Sequence, residues 1–107
     1  MTDLDPETFD EEKYVERFTE LQQAYRQAFE KLNDRYNSEM VHAIDQQVLN
    51  ESEPFYEGDG EFRIELPENP VARVDGVLAE EDDLRELLDI YVEELETQLR
   101  GVFGLEG

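Results

Sequence analysis

The chain has 107 residues, with 30 Asp and Glu against nine Lys and Arg, a formal net charge of −21. That length fits a single acidic domain, 1–107, with a modest core, and six Phe and five Tyr supply the apolar surface that acidic disordered chains lack. With no cysteine, disulfide frameworks, thiolate chemistry and zinc–thiolate sites are excluded, and no apolar run is long enough for a transmembrane helix.

The cations are skewed, with only Lys13 and Lys31 as lysines, and the acids run from Asp3 to Glu106 rather than in one block. A folded, acidic, Lys-poor chain suits a cytoplasm of molar salt, where charge keeps the surface hydrated and the Debye length falls to about 3 Å. The start, Met-Thr-Asp-Leu-Asp-Pro-Glu, has neither the basic nor the apolar region of a signal peptide, so a cytoplasmic location in a halophilic archaeon is expected. Acidity argues against nucleic acid as a partner, although less strongly for a halophile, and no membrane partner is expected.

Residues 1–9 read as a loose N-terminal arm. Tyr14-Val-Glu-Arg-Phe18-Thr-Glu-Leu21 and Tyr25-Arg-Gln-Ala-Phe29-Glu-Lys-Leu32 then repeat one pattern eleven residues apart. Eleven residues are close to three helical turns, so Tyr14, Phe18, Leu21, Tyr25, Ala28, Phe29 and Leu32 form one stripe. The spacing predicts a helix from about Asp10 to Tyr36, with the stripe, Phe18 and Phe29 included, packed as core. Lys13, Arg17, Lys31 and Arg35 share a row beside it, where charges pair with a neighbouring helix. Asn37-Ser38 marks a break, with Ser38 as N-cap, and a second helix from about Glu39 to Asn50 presents Met40, Val41, Ile44 and Val48.

The period then changes. Phe62, Ile64 and Leu66 alternate with charged residues, a half-buried strand, and Gly58-Asp59-Gly60 suits a tight hairpin turn after a short edge strand holding Pro54. Asn69-Pro70 reads as a cap and first helical residue, opening a short helix that stops near Gly76. The last helix, about Glu81 to Phe103, carries Leu84, Leu87, Leu88, Tyr91, Val92, Leu95, Leu99 and Val102 on its apolar face. Ile90 lies off that face.

The segment His42-Ala-Ile-Asp-Gln-Gln-Val-Leu-Asn-Glu-Ser-Glu-Pro-Phe-Tyr-Glu-Gly-Asp-Gly-Glu-Phe62, continuing to Leu-Pro-Glu-Asn-Pro70, resembles a family of small uncharacterised haloarchaeal proteins, a domain of unknown function. The resemblance covers nearly the whole chain. It implies a haloarchaeal source and brings no activity, cofactor or catalytic residue.

Chemistry-bearing motifs are few. Glu39 and His42 form the E-x-x-H pair of di-iron bundles, and they are the weak metal candidates. Acids are 30 of 107 residues, so an acid at any given offset arises about 28% of the time and the pair says little. Glu57-Gly-Asp-Gly-Glu61 fails the calcium-loop spacing and reads as a turn. Glu86, Asp89, Glu93 and Glu96 read as a solvated face. No nucleophile elbow, phosphate loop or zinc pattern occurs, so no catalytic residue, cofactor or metal is assigned and an enzyme is unsupported, though His42 could serve as a base.

The expected fold is α+β, mostly α: two long antiparallel-packed helices, a medium helix and a small β-hairpin. The expected function is a non-enzymatic protein-interaction module that self-associates as a homodimer or larger homo-oligomer, meeting its own kind or another protein through Lys13, Arg17, Lys31, Arg35 and Ile90. One alternative is a small-molecule or metal-binding protein, with enzymatic activity conceivable, centred on Glu39 and His42. Another is nucleic-acid association through the basic row.

Overall fold

In a computed structural model, which describes residues 5–105, the chain forms four helices and a two-stranded antiparallel hairpin. They are α1 (Pro6–Glu12), α2 (Phe18–Arg35), α3 (Ser38–Gln47), β1 (Glu53–Gly58), β2 (Glu61–Glu65) and α4 (Glu81–Val102). This is the α+β, mostly helical fold expected. The two longest helices, α2 and α4, pack antiparallel. Tyr36, just past the end of α2, shares a shallow cleft with Asp83 and Leu87 near the start of α4, while Lys31, further back along α2, meets Glu94, further along α4.

The single helix expected from Asp10 to Tyr36 is two helices joined by an elbow at residues 13–17. The arm expected over residues 1–9 is helical from Pro6, and residues 1–4 lie outside the described residues. Asp5 caps α1, its carboxylate accepting from the Thr8 amide at 2.8 Å, with Pro6 as first helical residue. Phe9 explains why this helix leaves the line of α2. It is wholly buried, edge-on to Phe62 at 5.4 Å and to Phe103 at 5.6 Å, and Tyr56 closes the cluster. Three distant segments, α1, the hairpin and the end of α4, thus supply one aromatic core.

The break rotates the packing face of α2. Leu21, Ala24, Ala28 and Leu32 are buried, Tyr25 and Phe29 are partly buried, and Phe18 is 45% exposed. The expectation that the whole aromatic stripe is core is therefore corrected at Tyr14 and Phe18. Small alanines between α2 and the Leu face of α4 permit a close helix–helix approach, with Leu84, Leu87, Leu88, Tyr91, Leu95 and Leu99 buried from the other side.

At the next break Asn37, not Ser38, is the N-cap: its side chain accepts from the Met40 amide at 3.1 Å, while Ser38 Oγ donates to Asn33. Helix α3 stops at Gln47 and a single tight turn, Leu49–Glu51, leads to the hairpin. The hairpin turn is the predicted one, with Asp59 and both flanking glycines at positive φ. After β2, the expected short helix is only one tight turn, Val71–Arg73, because Asn69 takes φ +49° and Val74 is already extended.

Candidate binding cleft beside the elbow

The elbow is pinned by Lys13. Its side chain is 2% exposed, its ammonium meeting Asp10 at 2.9 Å, Glu53 at 2.7 Å and the Pro54 carbonyl at 3.1 Å. The same nitrogen lies 3.8 Å from the centre of the Phe55 ring. Burial by itself would lower the Lys13 pKa, but the hydrogen bonds it donates to Glu53 and Asp10, with the attraction of their charges, outweigh it and hold the group above its ordinary value. Lys13 is charged and tethers the end of α1 to the start of β1.

That tether leaves Tyr14, Val15 and Phe18 on the outside, 54%, 78% and 45% exposed. Tyr14 and Phe18 form one wall of a cleft of about 450 Å³, completed by Tyr25 from α2, Asp45 from α3, and Ser52 and Pro54 from the start of β1. The volume is within the usual range for small-molecule sites, about 300–1,000 Å³. Ser52 Oγ donates to the Leu49 carbonyl at 2.7 Å, which leaves Tyr25 as donor in its 3.0 Å bond to Ser52. Burial pushes the Tyr25 hydroxyl up to about 12, so it stays neutral.

Asp45 is the only carboxylate in the lining, which holds no Lys, Arg or His. Tyr91, buried in the core of α4, donates its hydroxyl to Asp45 Oδ1 at 3.2 Å, and Oδ2 has no donor among the described residues. Burial raises the Asp45 pKa, opposed by the Tyr91 hydrogen bond and by His42 nearby. Tyr91 is itself raised, by burial first and the adjoining carboxylate second. The cleft therefore joins aromatic walls to one acceptor-rich carboxylate.

The predicted site residues do not assemble. Lys13 is sealed away from the row it was grouped with, since the elbow separates it from α2. Arg17 pairs with Glu12 at 3.2 Å and Lys31 with Glu94 of α4 at 3.3 Å, while Arg35 is exposed with no ion pair among the described residues. The basic row of the single long helix is thus corrected to four separate environments. Ile90 is partly buried against the core, beside Tyr36, Met40 and Leu87 in a second shallow cleft.

Glu39 and His42 are both exposed, and the His42 ring stands edge-on to Phe29 at 4.9 Å. Among the described residues no group of three or more His, Asp or Glu side chains is placed to hold a metal ion. The helices there also include none long and apolar enough to cross a membrane.

The cleft residues were missed as a set. Helical periodicity assigns Tyr14, Phe18 and Tyr25 to the core, and Asp45 and Ser52 stand in no motif. Only tertiary contacts bring them together.

No curated protein and no solved structure matches the chain. A family model does, along residues 1–106: the chain belongs to the family of unknown function DUF5783.

Proposed function

We propose that the protein is a non-enzymatic protein-interaction module that self-associates, working in a high-salt cytoplasm. The observation that carries this reading is the elbow. Three large apolar side chains, Tyr14, Val15 and Phe18, stand exposed within five residues on a chain of net charge −21. Contiguous apolar exposure on an otherwise charged surface marks contact sites. The occupant is a second copy: its elbow offers the same apolar group, and in molar salt the repulsion between two acidic chains is screened within about 3 Å.

A 27-residue helix too long for one partner would have been a different reason for a dimer, and the elbow removes it. Helix α2 has 18 residues, about 27 Å, and α4 has 22, about 33 Å, so α4 can cover its partner alone. Of the four cations expected to form a basic row, Lys31 faces Glu94 of α4, an inward pairing that does not favour nucleic acid.

Light scattering in 2 M KCl tests the proposal. The parent is expected at twice 12.6 kDa or a higher multiple, and Val15→Glu with Phe18→Glu at the monomer mass. A monomeric parent across the accessible concentrations refutes it.

A further inference from the structure

We propose that the cleft between α2, α3 and the start of β1 is a binding site for a small organic ammonium ion. Its cationic nitrogen would meet Asp45, and its apolar part the rings of Tyr14, Phe18 and Tyr25. This goes beyond self-association, with which it shares Tyr14 and Phe18, whereas Val15 does not line the cleft.

Charge selects the class of ligand. Asp45 is the only carboxylate in the lining, and no cation lines the cleft. The nearest buried ammonium, Lys13, lies 5.5 Å from the Tyr14 ring centre, and Asp10 and Glu53 already neutralise it. The whole chain, at −21, raises the local concentration of any cation. An anion would therefore meet repulsion at the mouth and a carboxylate inside.

Hydrogen bonding selects an N–H cation. Tyr91 occupies Asp45 Oδ1 from the core side, which orients the carboxylate and leaves Oδ2 without a protein donor among the described residues. Two charges meeting in a partly dry cleft attract more strongly than in water, and a charge-assisted N–H···O bond is stronger than a neutral one. Tyr14, Phe18 and Tyr25 add ring faces, to which cations are drawn. Asp45 is held by the core, whereas Tyr14 and Phe18 sit on the elbow that Lys13 pins. One wall of the site is thus rigid and the other is set by a single ion-pair cluster.

The probe is phenethylammonium, compared with its neutral counterpart 2-phenylethanol, by calorimetric titration of the full chain in 0.5 M KCl. At that ionic strength diffuse attraction to the acidic surface is largely screened. Saturable one-to-one binding of the amine is expected, with the alcohol bound at least about tenfold more weakly. Asp45→Asn keeps an acceptor for Tyr91 and should weaken amine binding by at least about tenfold, while Asp34→Asn, an exposed acid at the far end of α2, should leave it unchanged. Equal binding of amine and alcohol, equal loss in the two variants, or heats that never saturate overturn the proposal. Should Asp45→Asn fail to fold, Phe18→Ala decides: affinity should fall about threefold or more, and an unchanged affinity refutes the site. Asp45→Asn leaves Tyr14, Val15 and Phe18 in place, so a negative titration does not bear on self-association.

Discussion

Lys13 is a buried cation whose two carboxylate partners are not buried: Asp10 and Glu53 are 59% and 42% exposed. Removing the ammonium returns both acids to water rather than stranding them, so the cost should fall short of the 3–5 kcal/mol typical when one member of a buried pair is deleted. What is stranded is the Pro54 carbonyl. Lys13→Met, which keeps the apolar stem, is expected to cost about 1–3 kcal/mol, and Arg35→Met, on an exposed position, within about 0.5 kcal/mol. Urea unfolding distinguishes the two. Because Lys13 is raised on folding, its contribution is whole below the ordinary lysine value and is lost as pH climbs through the folded one. Parent and Lys13→Met should therefore converge in strong alkali. Asp45 has the same sign, at acid rather than alkaline pH. Its raised pKa means that the folded state favours the protonated form, so stability from this group is present below the unfolded carboxylate range and is lost as pH rises through the folded value. Asp45→Asn removes that loss while keeping an acceptor for Tyr91. The melting temperature of the variant, relative to the parent, should rise from pH 3 to pH 7; a constant difference would show that Asp45 titrates no differently when folded.

At the scale of elements, the elbow separates what periodicity can reveal from what it cannot. Phe9→Ala empties the centre of the four-ring cluster and should cost about 3–5 kcal/mol. Phe18→Ala, on a half-exposed ring, should cost no more than about 1 kcal/mol. Comparable losses by chemical denaturation would restore the single-helix reading. That reading extended one apolar period through residues 13–17, and the period is there: Tyr14 and Phe18 do repeat Tyr25 and Phe29. The interruption comes from Lys13 reaching Glu53 and Phe9 reaching Phe62, contacts some forty and fifty residues away that leave no local trace. By contrast α4 was legible almost to the residue, expected over 81–103 and found over Glu81–Val102, because nothing competes with its Leu repeat. The hairpin was legible too, since Gly58-Asp59-Gly60 accepts the positive φ its turn requires. Proline after a polar cap was a weaker guide. Asp5-Pro6 opens a helix that was overlooked, while Asn69-Pro70, which looked equally good, opens one tight turn. The cleft was invisible for the reason the elbow was. Its aromatic wall carries the signature of core, and its carboxylate is one acid among thirty.

Over the whole molecule, a body of 46 × 26 × 21 Å carries 21 excess negative charges, and its stability should depend on salt. The elbow removes Glu12–Glu16 and Glu16–Glu20 from any shared helix. Eight like-charge pairs of acids at helical spacing lie within the helices: Glu7–Asp10 and Glu7–Glu11 on α1, Glu30–Asp34 on α2, and Asp82–Glu86, Asp83–Glu86, Glu86–Asp89, Asp89–Glu93 and Glu93–Glu96 on α4. At about 0.2–0.5 kcal/mol each these cost about 1.6–4 kcal/mol unscreened. Local relief is limited. Arg85 reaches Glu81 at 2.8 Å and Asp82 at 3.6 Å, exposed pairs worth little individually. The acids in the first turn of α4 are better placed, since Glu81, Asp82 and Asp83 face the positive end of the helix dipole. Against a typical domain stability of about 5–15 kcal/mol, the residual repulsion is a sizeable share, and longer-range repulsion adds to it. Screening over about 10 Å at 0.1 M salt leaves neighbouring charges in contact, whereas about 3 Å at 1 M does not. The thermal midpoint should therefore be markedly higher in 2 M than in 0.1 M KCl, and partial protonation of the acids at moderately low pH should substitute for part of the salt. Self-association would add its own, concentration-dependent, stabilisation. Melts at two protein concentrations in each salt separate the contributions: screening shifts both concentrations alike, and assembly widens the gap between them. Equal midpoints in the two salts would mean that the charge is accommodated within each chain and that repulsion does not limit this fold.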